Sequence, residues 1–142
     1  MIYKKILGFA MLALASNFVS AAPTNTVLTE YKDCEQFSQA DLNQCTVNNY
    51  LLSENRLREV ETNLANKIKI WSEDNKYQSI ATRKLTESKR DFIDYKKSNC
   101  SFAAALGGGA IGAAINLREV KCQLEMNKNR INEFNAHIKG IN

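Results

Sequence analysis

Apolar residues recur at alternating spacings of three and four through Leu57, Val60, Leu64, Ile68 and Trp71, the period of one face of an α-helix. A later run does so more cleanly, through Leu117, Val120, Leu124, Ile131, Phe134, Ile138 and Ile141, with only Asn127 interrupting its seven-residue pattern. Between them the pattern predicts a helix over residues 77–100, burying Ile80, Leu85, Phe92 and either Tyr95 or Ile93. Ser38 opens the first helix, and Asp41 three residues later makes a variant of the capping box. The polar cluster Ser72-Glu73-Asp74-Asn75 ends that helix in a turn. Helix continuation is costly through Gly107-Gly108-Gly109 and Gly112, which separates the second helix from the third. Residues 22–37 carry no period and read as an extended leader. Residues 38–142 thus form one all-α domain, a three-helix antiparallel bundle packing its stripes together.

Composition agrees with that class. Proline occurs once, at Pro23, and a chain so short of breakers and rich in Leu, Asn, Lys and Glu is expected to be mostly helical. Residues 1–21 stand apart: Lys4 and Lys5, then an almost wholly apolar run over 6–15, then Val19-Ser20-Ala21 with small residues where a signal peptidase reads. The apolar run is shorter than the roughly twenty residues needed to span a bilayer, so cleavage after Ala21 is expected rather than anchoring. No cysteine stands at that point, which argues against a lipoprotein. A periplasmic or secreted protein follows. Loss of Lys4 and Lys5 lowers the formal charge from +4 to +2, too small an excess, without a basic run, to argue for nucleic acid.

Export gives the four cysteines, Cys34, Cys45, Cys100 and Cys122, their meaning. An even count in a small exported domain predicts two disulfides. An up-down-up bundle brings Cys45, Cys100 and Cys122 to one end, with Cys34 beside them, so all three connectivities are within reach. Sequence neighbours favour Cys34–Cys45 and Cys100–Cys122, each stabilising by roughly 3 kcal/mol in the chain-entropy model. A four-thiolate zinc site lacks the short paired spacing of zinc knuckles, and no metal or other cofactor is expected.

Catalytic chemistry finds little support. The single histidine, His137, falls near a helix C-terminus, where a cation is welcome against the helix dipole. Asp91 and Asp94 are three apart, as on many solvated faces, and the cysteines are taken. Gly107-Gly108-Gly109 lacks the Gly-Lys-Ser/Thr and preceding strand of a phosphate loop. An enzyme is not expected. Residues 102–117 are apolar and small, with Gly108 and Gly112 spaced as in membrane helix pairs. They are too short to span, and disulfides would tie their ends, so no stable membrane insertion is expected. A flexible connection partly covered by the bundle end is favoured, or a pre-organised surface for a protein partner.

The stretch Ser38-Gln39-Ala40-Asp41-Leu42-Asn43-Gln44-Cys45 resembles the T-Q-x-E-M-N-x-C opening of the LprI-type lysozyme inhibitor family. Glu54 and Leu57 fall where that family carries an acidic residue and a leucine. Residues 89–100 are similar to its Q-x-x-W-I-x-[FY]-R-D-x-x-C block, with Phe92 at the tryptophan position and Ile93 and Tyr95 matching. Gly107, Gly108 and Gly109 sit in its glycine-rich connection, and Cys122, Arg130, Glu133 and Phe134 fit its C-x7-R-x-x-E-L ending. Lys89, Lys96, Lys97 and Asn127 depart from the pattern, replacing glutamine, arginine, aspartate and threonine, and the first two cysteines stand one residue closer. The resemblance implies a helical exported protein with a protein partner, lysozyme or another cell-wall hydrolase. The alternative is a non-inhibitory envelope adaptor, structural module or immunity protein. A weakly basic chain offers a basic lysozyme no long-range attraction, which leaves local complementarity to the carboxylates of its cleft. The expected contacts are Leu106, Gly107, Gly108, Gly109 and Ile111 of the connection, or the turn at 73–76 with Lys76.

Overall fold

A computed structural model describes residues 31–110 and 112–141. The expected export signal at 1–21, the leader up to residue 30 and the candidate contact Ile111 lie outside the described residues. Three helices follow in order: α1 (Gln39–Lys69), α2 (Asn75–Ala105) and α3 (Gly112–Gly140). The helices pack as a bundle, with two disulfides, Cys34–Cys45 and Cys100–Cys122.

Each boundary has a local cause. Ser38 caps α1 in an extended conformation, and its carbonyl accepts from the Leu42 amide at 2.7 Å. Its hydroxyl does not reach a backbone amide but donates to Asp41 Oδ2 at 2.7 Å, so the expected capping box closes side chain to side chain. Asp41 in the first turn and Lys67 and Lys69 in the last complement the helix dipole. The Gln78 amide donates to the carbonyls of Trp71 and Glu73 at 2.8 and 3.0 Å, tying the turn to the start of α2. That helix runs five residues beyond Cys100, because Ala103, Ala104 and Ala105 are the strongest helix formers. It stops where Gly108 takes a φ of 57°, the left-handed conformation that closes many helices. Gly107 has a different constraint. A Cβ there would stand 3.0 Å from the Ala104 carbonyl oxygen and 3.3 Å from Arg118 Cδ.

Leu57, Val60, Leu64 and Ile68 of α1 pack against Ile131 and Phe134 of α3, with Tyr31, Ala81, Leu85, Phe92, Ile138 and Ile141 half-buried around them. Glu54 meets Asn127, and the end of α1 meets the last turns of α3, so these two helices run parallel. The second helix runs antiparallel to both. Its interface with α1 is the slightest of the three.

The rotation of α2 differs from expectation. Leu85 and Phe92 face inward, but Ile80, Ile93 and Tyr95 are exposed, and Lys96, Cys100 and Ala104 are buried instead. Directional bonds decide this. The Cys100–Cys122 disulfide fixes one position, and two lysines seven residues apart meet two carboxylates seven apart: Lys96 with Glu54 at 2.5 Å and Lys89 with Glu61 at 3.0 Å. Turning Ile93 or Tyr95 inward would break all three. Residues 31–37 are fastened to α1 as well, because the buried Asn49 amide both donates to the Lys32 carbonyl (2.8 Å) and accepts from its amide (3.1 Å).

Candidate functional site

Asn127, the one break in the apolar pattern of α3, is wholly buried at the centre of a polar group. Its amide nitrogen donates to Ser53 Oγ at 2.9 Å and to Glu54 Oε1 at 2.7 Å, while its oxygen accepts from Lys96 Nζ at 2.9 Å. The Lys96 ammonium also stands over the rings of Phe92 and Tyr50, at 5.5 and 5.8 Å. Burial pushes the Glu54 carboxyl upward, but hydrogen bonds from Lys96, Asn127 and Tyr50, with the lysine charge, outweigh it and hold the pKa below the ordinary carboxylate value. Burial and the neighbouring Glu54 charge push the Tyr50 phenol up. No buried side-chain nitrogen or oxygen of Ser53, Glu54, Lys96 or Asn127 is left without a partner, the condition under which a buried ion pair is tolerated. Lys96 is therefore held by hydrogen bonds to α1 and α3, with the Phe92 ring of its own helix beside it.

The cystine end is where the candidate contacts of the connection lie. Leu106 is 67% exposed, and Gly107, Gly108 and Gly109 follow it into the turn. Phe102 and Tyr95 are exposed at 63% and 60%, and spacings of seven and four place all three large side chains along one side of α2. Sequence reasoning expected either Tyr95 or Ile93 in the core, whereas both are exposed, and so missed this stripe. The signal for it was Lys96, whose charge needed an acidic partner more than Tyr95 needed burial. Arg118, exposed at the start of α3, leans on Gly107. Lys76 is elsewhere: it is exposed at the first turn of α2, above the Tyr77 ring. Since α2 has 31 residues, it stands about 45 Å from Leu106 at the rise of an α-helix. The structure does not bring the two candidate contacts together.

The opposite end holds a cleft of about 460 Å³ between all three helices, lined by residues that include Leu64, Trp71, Ala81, Arg130 and Phe134. The Arg130 guanidinium lies between Phe134 (4.2 Å) and Phe92 (5.4 Å). It donates to Glu133 at 2.8 Å and to the Ser88 hydroxyl. The exposed His137 sits one turn on, 3.7 Å from Glu133. Asp91 is paired with Arg90 at 2.9 Å, and Asp94 is exposed. Among the described residues no three His, Cys, Asp or Glu side chains gather as for a metal ion, and no cysteine is free. No helix among them is long and apolar enough to cross a membrane.

No curated protein and no solved structure shows a significant match to the sequence. A family model does: the one described as lysozyme inhibitor LprI matches residues 32–134. The match begins just before the first cystine and takes in both disulfides, the Glu54–Lys96–Asn127 group and the exposed stripe. With most of the chain covered, the protein belongs to the LprI lysozyme inhibitor family.

Proposed function

We propose that the protein is an exported, non-catalytic inhibitor that binds lysozyme or another cell-wall hydrolase through the cystine end of the bundle. The family match over residues 32–134 carries this reading. Two disulfides suit an oxidising compartment outside the cytoplasm, in keeping with the export signal expected at residues 1–21. The contact surface is the stripe Tyr95, Phe102 and Leu106 with the glycine connection beside it. Aromatic and aliphatic anchors of this kind supply most of the energy of protein interfaces. The Cys100–Cys122 bridge ties α2 to α3 next to the stripe, so little ordering remains to oppose binding. Arg118 stands at the edge of the connection as a cation for the paired carboxylates that glycosidase clefts carry.

The test is residual muramidase activity with excess purified protein against animal-type, goose-type and bacterial enzymes. Inhibition of at least one class is expected. Full activity of all three, with a stable envelope partner recovered by crosslinking, would replace this reading with that of a non-inhibitory adaptor.

A further inference from the structure

The cleft at the other end of the bundle lies away from the proposed contact surface. Small residues create it: Ala81 and Ser88 on α2 and Ala136 and Gly140 on α3 line the space that larger side chains would fill. Its floor is apolar, with Leu64 and Phe134 belonging to the core, and its volume of about 460 Å³ lies within the usual range for small-molecule sites, roughly 300–1,000 Å³.

Its polar lining leans to one sign. Lys84 and Arg130 line the cleft, with Glu133 the one carboxylate among its lining residues. The carboxylate of Glu133 is already engaged by Arg130 at 2.8 Å. Glu87, the ion-pair partner of Lys84, does not line it. Arg130 is firmly held, donating to Glu133 and to the Ser88 hydroxyl, and keeps 12% of its side chain exposed, while its Nε is buried from solvent with no hydrogen-bond partner among the described residues. A buried donor left unmade costs more than a made bond gains. Phe92 and Phe134 hold the guanidinium plane in place, so it is positioned before any ligand arrives.

We infer that this cleft is a binding site for a single-chain amphiphile, with the apolar chain on Leu64, Ala81 and Phe134 and a compact anionic group, carboxylate or phosphate, at Arg130 and Lys84. Nothing in the proposed inhibitory contact requires it, so each reading fails or survives separately.

The protein supplies its own probe, because Trp71, its single tryptophan, lines the cleft. Purified protein is titrated with laurate, dodecyl phosphate and the neutral dodecyl maltoside, each below its micelle concentration, while Trp71 emission is followed. Saturable shifts are expected with both anions, the tighter one naming the head group, and binding of the neutral amphiphile about tenfold weaker or more. Ala81→Leu fills the cleft with an apolar residue and should weaken laurate binding about tenfold or more while leaving the fold intact by circular dichroism. Lys84→Glu, at a position where the side chain is 64% exposed, should weaken the anions and spare the maltoside. No saturable response to laurate up to about 1 mM, equal binding of all three amphiphiles, or laurate binding unchanged in Ala81→Leu would each overturn the site.

Discussion

At the cystine end α2 is fixed by a disulfide to α3 and by the Lys96 ammonium to both neighbours, and residues 31–37 are bolted to α1 by Cys34–Cys45 and Asn49. Toward its other end the same helix meets the bundle through half-buried Ala81 and Leu85, beside an open cleft. One sequence thus builds a rigid end and a loosely filled one. Covalent bridges and buried polar groups permit only one arrangement, whereas apolar packing around small residues leaves room for a guest. The rigid end bears exposed Tyr95, Phe102 and Leu106 at little entropic cost, and the open end keeps its apolar surface in a recess.

The largest expected effect comes from removing both bridges. With all four cysteines changed to serine, stability should fall by about 6 kcal/mol, about 3 for each loop, as read from urea unfolding. That approaches the whole stability of many small domains. A loss under about 1 kcal/mol would show that the cystine end does not owe its rigidity to the bridges.

The two lysine–carboxylate pairs sharpen the contrast next. Lys96→Met leaves Glu54 beside Asn127 without its cation and should cost about 3 kcal/mol. Lys89→Met removes a side chain that is 42% exposed and should cost about 1 kcal/mol or less. Equal costs in denaturant titrations would mean that the polar group does not distinguish the two ends.

Acidity acts on the same group. The folded-state pKa of Glu54 is depressed below the reference value of 4.5, so its contribution is complete above the unfolded value and is lost as the pH falls through the lower, folded one. Melting temperature should therefore decline below about pH 4.5, and Glu54→Gln should flatten part of that decline. An unchanged slope in the variant would place the acid sensitivity elsewhere. The smallest effect is Leu106→Asp, expected to stay within about 0.5 kcal/mol of the parent in stability while weakening hydrolase binding. A large loss of stability would mean that Leu106 belongs to the core.

Much of this was legible in the chain. The stripe from Leu57 to Ile68 and the pattern from Leu124 to Phe134 gave α1, α3 and their shared core, because a helix face must be apolar to be buried. The glycines marked the end of α2, and neighbouring cysteines gave the bridges. The rotation of α2 was not legible from apolar period alone. Ile80 and Ile93 are as apolar as Leu85 and Phe92, and the choice among them was made by Lys96 and Lys89, whose partners lie 42 and 28 residues away in sequence. Asn127 announced itself as a break in a pattern, but its partners Ser53, Glu54 and Lys96 come from two other helices, and no local rule reads such a meeting. The cleft was equally hidden, since Ala81, Ser88, Ala136 and Gly140 make a space only once α2 and α3 stand side by side.

Hydrogen exchange read residue by residue, with and without an inhibited hydrolase, tests the contrast and its functional meaning together. In the free protein, amides of α2 over 96–104 should exchange slowly and those over 76–85 markedly faster. Added hydrolase should protect residues 95–110 and leave 76–85 unchanged. Uniform exchange along α2, or protection gained at 76–85 instead, would contradict the assignment of the rigid, cystine-bound end as the surface that binds.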